Sequence, residues 1–149
     1  MRQFENITLT NMCMIYDDKG NVLAHDRLKR WKGIAFPGGH VELNESIVDS
    51  TIREVYEETG LKVSDLQLCG IKQWFNEETG RNVCFLYKTN KFEGQLINTP
   101  EGNNFWTTFD QLAKLELADN FGIMLEVFLK DEYSEHYNNK YLNIVDELK

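Results

Sequence analysis

The chain has 149 residues, close to the roughly 150 residues that one domain takes. With 42% hydrophobic and 27% charged residues, its composition is that of a globular protein, neither disordered nor fibrous. The formal net charge of −8 argues against a protein that coats DNA or RNA, because neutralising a polymer of phosphates requires an excess of Lys and Arg.

A membrane anchor and an export signal are both unexpected. No apolar run reaches the roughly 18 residues of a spanning helix, and residues 1–6 lack the apolar stretch of a signal peptide. Three cysteines, Cys13, Cys69 and Cys84, cannot all pair within the chain and show no C-x-x-C spacing. Free thiols in a reducing cytoplasm are therefore expected.

The first third of the chain predicts three strands. β-branched and apolar residues dominate residues 7–16, and a cluster of turn formers at 17–21 ends that strand. A second strand is predicted at 22–24. A basic stretch follows it, and then a short apolar run at 34–36, which stops at a sharp turn formed by residues 37–39.

The next segment carries helix signals at both ends. Ser46, with Asp49 three residues later, can form a variant of the capping box, and Gly60 suits the left-handed residue that closes a helix. Apolar side chains between these ends recur at helical spacing and define one face. They are Ile47, Val48, Thr51, Ile52 and Val55.

The second half of the chain returns to strands. Residues 66–75 and 82–89 predict two strands joined by a turn, and residues 105–108 predict another. A second amphipathic helix is predicted over 119–130, and the tail around residues 138–139 predicts a hairpin. This order of elements favours a mixed α/β sandwich, a sheet with helices on both sides.

Three glutamates stand together on the first predicted helix. Glu54, Glu57 and Glu58 have the spacing i, i+3 and i+4, which places them within about a third of the helix circumference. Carboxylates this close repel one another unless a cation lies among them. Oxygen ligands select hard ions, so Mg²⁺ or Mn²⁺ is expected. Arg53 and Glu45, two turns apart, can form an ion bridge that braces the helix against the preceding loop.

The glutamates belong to a longer pattern. Residues 39–61 read GHVELNESIVDSTIREVYEETGL, which is G-x5-E-x7-R-E-U-x-E-E-x-G-U with every defined position filled, U being a bulky apolar residue. A chance match is expected on the order of 10⁻⁷ times in such a chain. The pattern resembles the signature of the Nudix hydrolases, which cleave a nucleoside diphosphate linked to another group. The resemblance implies one Nudix domain over residues 1–149, an α/β/α sandwich with a mixed sheet between helices.

The resemblance also implies roles for the residues of this box. The metal-binding positions are Glu54, Glu57 and Glu58, the structural ion pair is Glu45 with Arg53, and the glycines that bound the loop and helix are Gly39 and Gly60. Gly38 and Gly39 let the backbone approach a phosphate. A carboxylate-bound Mg²⁺ would neutralise the diphosphate and orient the attacking water. Glu54 is the first candidate for the general base, although a loop glutamate fills that role in some relatives.

Within the family, the chain looks most like the MutT-type nucleoside triphosphate pyrophosphohydrolases, including enzymes that remove 8-oxo-dGTP. The positions that match this group are Arg27 for substrate contact, Phe36 in F-P-G-G for packing on a purine, Glu101 for a further metal ligand and Asn120 for base reading. Trp74 and Phe75 lie where a second aromatic wall is expected. Because successive strand residues face opposite ways, only one of them can line the pocket, and Trp74 is the candidate. An Asn amide both donates and accepts hydrogen bonds, as an oxidised purine edge requires.

Three functions are therefore compared. The first is a Mg²⁺-dependent pyrophosphohydrolase of an oxidised purine deoxynucleotide such as 8-oxo-dGTP, which releases a monophosphate and pyrophosphate. The second keeps the site but acts on ADP-ribose or another nucleoside diphosphate sugar. The third is a catalytically silent nucleotide-binding sensor. In each, the partner is a small-molecule nucleotide, with no nucleic acid polymer and no membrane, and a homodimer is left open.

Overall fold

The computed structural model describes all residues, 1–149. Its strands are β1 (Ile7–Ile15), β2 (Asn21–Arg27), β3 (Gly33–Ala35), β4 (Leu61–Ser64), β5 (Gln67–Asn76), β6 (Gly80–Thr89), β7 (Lys91–Gly94), β8 (Gly102–Thr108), β9 (Glu135–Asn139) and β10 (Ile144–Leu148). Its helices are α1 (Ile47–Thr59), α2 (Phe109–Leu112) and α3 (Phe121–Leu129), with a 3₁₀ turn at Lys140–Leu142. None of the helices is long and apolar enough to cross a membrane.

The strands form one large sheet and two small ones. The large sheet has the order β1-β6-β5-β9-β10, in which β1 pairs with β6, and β5 with β9, in parallel, while the other neighbours are antiparallel. A three-stranded sheet has the order β3-β2-β8, and β4 pairs with β7. The sheet is therefore mixed, as the sequence predicted.

The two long helices cover opposite faces of the large sheet. Successive strand residues point to opposite faces, and alternate residues of β1 accordingly enter different cores: Cys13 packs in the cluster that holds Val55 of α1, while Met12 packs in the cluster of α3. Phe121 and Phe128 are the large α3 side chains of that second cluster. The predicted α/β/α sandwich is confirmed.

Helix α1 begins and ends at the predicted residues. Ser46 Oγ accepts a hydrogen bond from the Asp49 backbone N–H at 3.0 Å, and Gly60 closes the helix with φ of 80°. The buried face is narrower than predicted, because Val48 is 40% exposed and the apolar contact centres on Val55. Glu54, Glu57 and Glu58 lie to one side of this apolar contact.

The remaining differences involve short or irregular segments. The β4–β7 ladder was not predicted, since four-residue strands carry too little pattern. Helix α3 begins at Phe121 instead of residue 119, because Asn120 has a left-handed backbone (φ 67°) and its side chain makes no capping hydrogen bond. The tail hairpin is present as β9 and β10. All three cysteines are free thiols.

Candidate active site

The glycine loop lies along the free edge of β1. The Cys13 backbone N–H donates to Pro37 O, and the Asn11 backbone N–H donates to Gly39 O, both at 2.9 Å. In return, the Gly39 N–H donates to Asn11 Oδ1 at 3.1 Å. A Cβ on Gly38 would lie 2.0 Å from Asn11 O. The loop can lie this close to the strand only because this position has no side chain.

The same loop lies against the acidic face of α1. The Gly38 N–H donates to Glu58 Oε2 at 3.2 Å, and a Cβ on Gly39 would lie 2.3 Å from the Glu54 carboxyl carbon. The side chains of Glu54 and Glu58 are only 16% and 17% exposed, whereas that of Glu57 is 55% exposed. Two of the three predicted metal ligands are thus partly removed from water beside the glycines.

Arg53 holds the helix and its preceding loop together. Its Nε and Nη2 donate to the two carboxylate oxygens of Glu45 at 2.8 and 3.0 Å, the fork geometry that favours an Arg–carboxylate pair. This hydrogen bonding lowers the pKa of Glu45 to about 2. Nη2 also donates to His40 O at 3.1 Å, and Nη1 contacts Glu54 and Glu57 at 3.1 and 3.2 Å. The predicted ion bridge is present, and it extends to two of the candidate ligands.

The electrostatics of the cluster fit a divalent cation. Burial, together with the charges of Glu54 and Glu101, raises the pKa of Glu58 to about 7, against the opposing effects of the Gly38 N–H and Arg27. Burial also raises the pKa of Glu54. These carboxylates therefore lie where negative charge is under-compensated, and an oxygen-ligated Mg²⁺ would compensate it. In this structure no three His, Cys, Asp or Glu side chains are arranged so that they could hold a metal ion. Arg53 lies between Glu54 and Glu57 and donates to both.

Glu101 lies at the edge of this cluster. Its side chain is 60% exposed, and its carboxylate is 3.6 Å from Lys29 Nζ. Its charge contributes to the raised pKa of Glu58. The loop before β8 therefore brings a fourth carboxylate toward the helix, and the role of Glu101 as a further ligand stays a prediction.

A histidine to which the sequence gave no role lies behind Glu58. Asn104 Nδ2 donates to Glu58 O and Ile97 O, both at 2.8 Å, which leaves Asn104 Oδ1 to accept from His25 Nδ1 at 2.7 Å. The other ring nitrogen, Nε2, is 3.7 Å from Glu58 Oε2. Burial lowers the pKa of His25, so the neutral ring is favoured. The alternation of β2, which puts His25 and Arg27 on one face, is the signal that could have suggested this.

The predicted substrate residues fall into two groups. Phe36 does not fit a base-stacking role, because it is 1% exposed and its ring packs edge-on against Phe121 and Phe128, with centroids 4.8 and 5.1 Å away. Trp74, in contrast, is half-buried beside the same core. Asn120 is exposed and leaves its amide free of the helix cap.

Arg27 lies at the end of β2, as predicted. Its Nε donates to Arg30 O at 3.2 Å, and its guanidinium carbon is 5.6 Å from the centre of the Trp31 ring. The loop that follows the strand therefore holds the side chain. The cation is half-buried, and its charge acts on the pKa of Glu58, which places it close to the carboxylate cluster.

Carboxylates partly removed from water beside a glycine loop form the kind of site that cleaves phosphoanhydrides with a divalent cation. Residues 8–127 match the NUDIX domain family. An uncharacterised Nudix hydrolase of Bacillus subtilis, YvcI, is 30% identical over 83% of this chain and 80% of its own length. The chain belongs to the Nudix family of hydrolases, enzymes that act on phosphorus-containing anhydrides.

Two further comparisons concern a MutT protein and an oxidised purine nucleoside triphosphate hydrolase. The crystal structure of the MutT protein of Bacillus halodurans superposes with a TM-score of 0.72 and 26% identity, covering 95% of this chain and 94% of that one. A zebrafish protein named as an oxidised purine nucleoside triphosphate hydrolase is 30% identical over 65% of this chain and 64% of its own. The fold and the catalytic class are therefore established, and Nudix hydrolases generally use divalent metal ions.

The raised pKa of Glu58 predicts a pH dependence of cation binding at this residue. A proton must leave Glu58 before a cation binds there, so apparent Mg²⁺ affinity is full above about pH 7 and falls as the pH drops through that value. One displaced proton weakens the apparent affinity about fivefold between pH 7 and pH 6. Isothermal titration of the protein with Mg²⁺ at both pH values measures this. Glu58→Gln should flatten the dependence, and an equally steep dependence in that variant would assign the proton to another group.

Proposed function

We propose that the protein is a Mg²⁺-dependent nucleoside triphosphate pyrophosphohydrolase that acts on purine deoxynucleotides, with an oxidised purine such as 8-oxo-dGTP preferred. One water is consumed, and the products are a nucleoside monophosphate and pyrophosphate. The observation that carries the proposal is the pair of partly buried carboxylates, Glu54 and Glu58, held against the backbone of Gly38 and Gly39.

Each residue of the site has a role in this reaction. Glu57, Glu58 and Glu101 would hold the cation with Glu54, and the bound cation would neutralise the phosphate charge and orient the attacking water. Glu54 is the first candidate to take the proton from that water, because its pKa is raised by burial and a base with a pKa nearer neutrality is more effective. Arg53 positions these carboxylates through its contacts with Glu45, Glu54 and Glu57.

The proposed substrate is supported by the names of two similar proteins and by two side chains near the site. The zebrafish relative is named for oxidised purine nucleoside triphosphates, and the closely superposing structure is a MutT protein. In this chain, Arg27 lies near the carboxylates, and Trp74 offers an aromatic surface. We also place the activity in a reducing cytoplasm, for which the three free cysteines are the support.

A turnover screen tests the proposal. Canonical and 8-oxo deoxynucleoside triphosphates, ADP-ribose and dinucleoside polyphosphates are each incubated with Mg²⁺ and with chelator, and pyrophosphate is assayed. We expect the highest kcat/KM with 8-oxo-dGTP, with pyrophosphate released and no turnover in chelator. Cleavage of ADP-ribose, which yields no pyrophosphate, would replace this function with the nucleoside diphosphate sugar activity. Binding without turnover at saturating Mg²⁺ would favour the silent sensor.

Asn120 provides a test of base reading. Because its amide is exposed and caps no helix, Asn120→Ala removes a free donor and acceptor without removing a structural hydrogen bond. We expect the kcat/KM ratio of 8-oxo-dGTP to dGTP to fall by about tenfold, the value of one hydrogen bond to a bound ligand. Steady-state kinetics with both nucleotides measures the ratio. An unchanged ratio would remove Asn120 from the site.

A further inference from the structure

A row of side chains crosses the large sheet from the active site to its far side. Thr10 of β1 is opposite Cys84 of β6, Cys84 is opposite Lys72 of β5, and Lys72 is opposite His136 of β9. Residues in register on neighbouring strands share a face. Cys84 belongs to the core beneath α3, so Lys72 lies beside that core, on the face of the sheet opposite α1.

The Lys72 side chain is largely buried, and its charge is not paired with an acid. It is 9% exposed, and its Nζ makes no hydrogen bond and no ion pair. The ammonium lies over the Trp74 ring, whose centre is 5.2 Å away. Burial lowers the pKa of Lys72, as expected for a cation that has lost water. The only buried side-chain nitrogen or oxygen without a hydrogen-bond partner is His136 Nδ1, so the Lys72 ammonium still reaches solvent and can be approached by a ligand that supplies an acceptor.

The acid that could have neutralised Lys72 is engaged elsewhere. Asp146 is close enough to influence the pKa of Lys72, but its Oδ1 is 2.7 Å from His136 Nε2. His136 is fully buried, and burial lowers its pKa, so the ring is neutral and donates from Nε2 to Asp146. The fold therefore leaves the charge of Lys72 available.

The position of Lys72 relative to the glycine loop indicates which part of a nucleotide it meets. Thr10 forms a bridge with His40, the residue after Gly39, so the row begins at the loop. With strands about 4.8 Å apart, Lys72 lies about three spacings, roughly 14 Å, from that loop. Burial raises the pKa of the Cys84 thiol, and the charges of Lys72 and Arg27 both oppose that rise, so both cations lie near Cys84. A nucleotide with its phosphates at the glycine loop and its base extended along this row would bring the base to Lys72.

We propose that Lys72 is a specificity-determining residue that donates a hydrogen bond to a carbonyl oxygen of the base and selects 6-oxopurine over 6-aminopurine nucleotides. This inference rests on the proposed function, since it assumes a nucleotide in the cleft. An ammonium only donates hydrogen bonds. A 6-oxopurine presents an acceptor where adenine carries an amino group, and a site with a buried donor rejects the ligand that cannot pair with it. Trp74, beside the ammonium, offers its ring to the same base.

The test compares dITP with dATP, whose bases differ at the 6-position. We expect the wild-type protein to favour dITP, and Lys72→Met to lower the kcat/KM ratio of dITP to dATP by about 10–100-fold, the value of a hydrogen bond to a charged group. The matched control is Lys88→Met, the same change at a half-buried lysine of β6. Lys88 lies on the same face of the large sheet as Cys84 and Lys72, beside the cavity near Cys69. It should leave the ratio unchanged. An unchanged ratio in Lys72→Met, or an equal change in Lys88→Met, would overturn the proposal.

A binding measurement separates this proposal from the function on which it rests. Isothermal titration with dIMP and dAMP, in wild type and in Lys72→Met, reports base preference without turnover. Loss of the dIMP preference in the variant supports the role of Lys72 even if triphosphates are not hydrolysed, and an unchanged preference overturns it. Thermal unfolding provides the folding control: removal of a buried, unpaired charge should leave the melting temperature of Lys72→Met equal to or above that of wild type.

Discussion

Glu58→Gln is expected to lower kcat by roughly 10³-fold in a protein that still folds, because the charge that it removes belongs to the cation site. The amide keeps the size of the side chain, and its oxygen can still accept from the Gly38 N–H, which lies 3.2 Å from Glu58 Oε2. Stability should not fall, since burial disfavours the charged carboxylate that is lost. Glu57→Gln should lower kcat to a similar extent.

Steady-state kinetics at saturating Mg²⁺ and thermal unfolding of the same samples measure the two effects together. Glu42→Gln is the matched control: Glu42 is also an acid near Arg53, at 3.8 Å, but its side chain is 69% exposed. It should turn over like wild type. Turnover close to wild type in Glu58→Gln would remove that residue from the cation site, and an unfolded Glu58→Gln would show that its role is structural.

The part of the site that lies on α1 was predictable because its determinants are local. Ser46 and Gly60 fix the two ends of the helix through contacts within a few residues. Once the helix is fixed, the spacing of Glu54, Glu57 and Glu58 fixes their common face. The sandwich was predictable for a similar reason, since the elements around the box are long enough to show their periodicity.

The remainder of the site depends on pairings between distant strands. His25 meets Asn104 only because β2 and β8 are neighbours, a contact between residues 79 positions apart. Lys72 lies beside Cys84 and His136 because β6 and β9 are the neighbours of β5 in the large sheet. Phe36 shows the opposite case: its motif favoured a substrate contact, but α3 supplies two aromatic rings that enclose it. One sequence gives residue types and spacing, but not which strands become neighbours.

The two glycines of the loop should respond differently to the same substitution. At Gly39, an added Cβ would meet the end of the Glu54 side chain, 2.3 Å from its carboxyl carbon, and that side chain can move aside. Gly39→Ala should therefore retain its stability but displace a catalytic carboxylate. A misplacement of about 1 Å costs about 10²-fold in rate, so kcat should fall to about that extent.

At Gly38, the added Cβ would meet backbone instead, 2.0 Å from Asn11 O, and backbone cannot move without breaking the hydrogen bonds that hold the loop to β1. Gly38→Ala should lower the free energy of unfolding by about 2–4 kcal/mol, the loss of two or three backbone hydrogen bonds with added strain. Urea unfolding and kcat, measured on both variants, give the contrast. The placement of Glu54 against the loop would be wrong if Gly39→Ala lost as much stability as Gly38→Ala, or if it kept full activity. Only that placement makes an added methyl group at Gly39 affect the rate, while the same group at Gly38 affects stability.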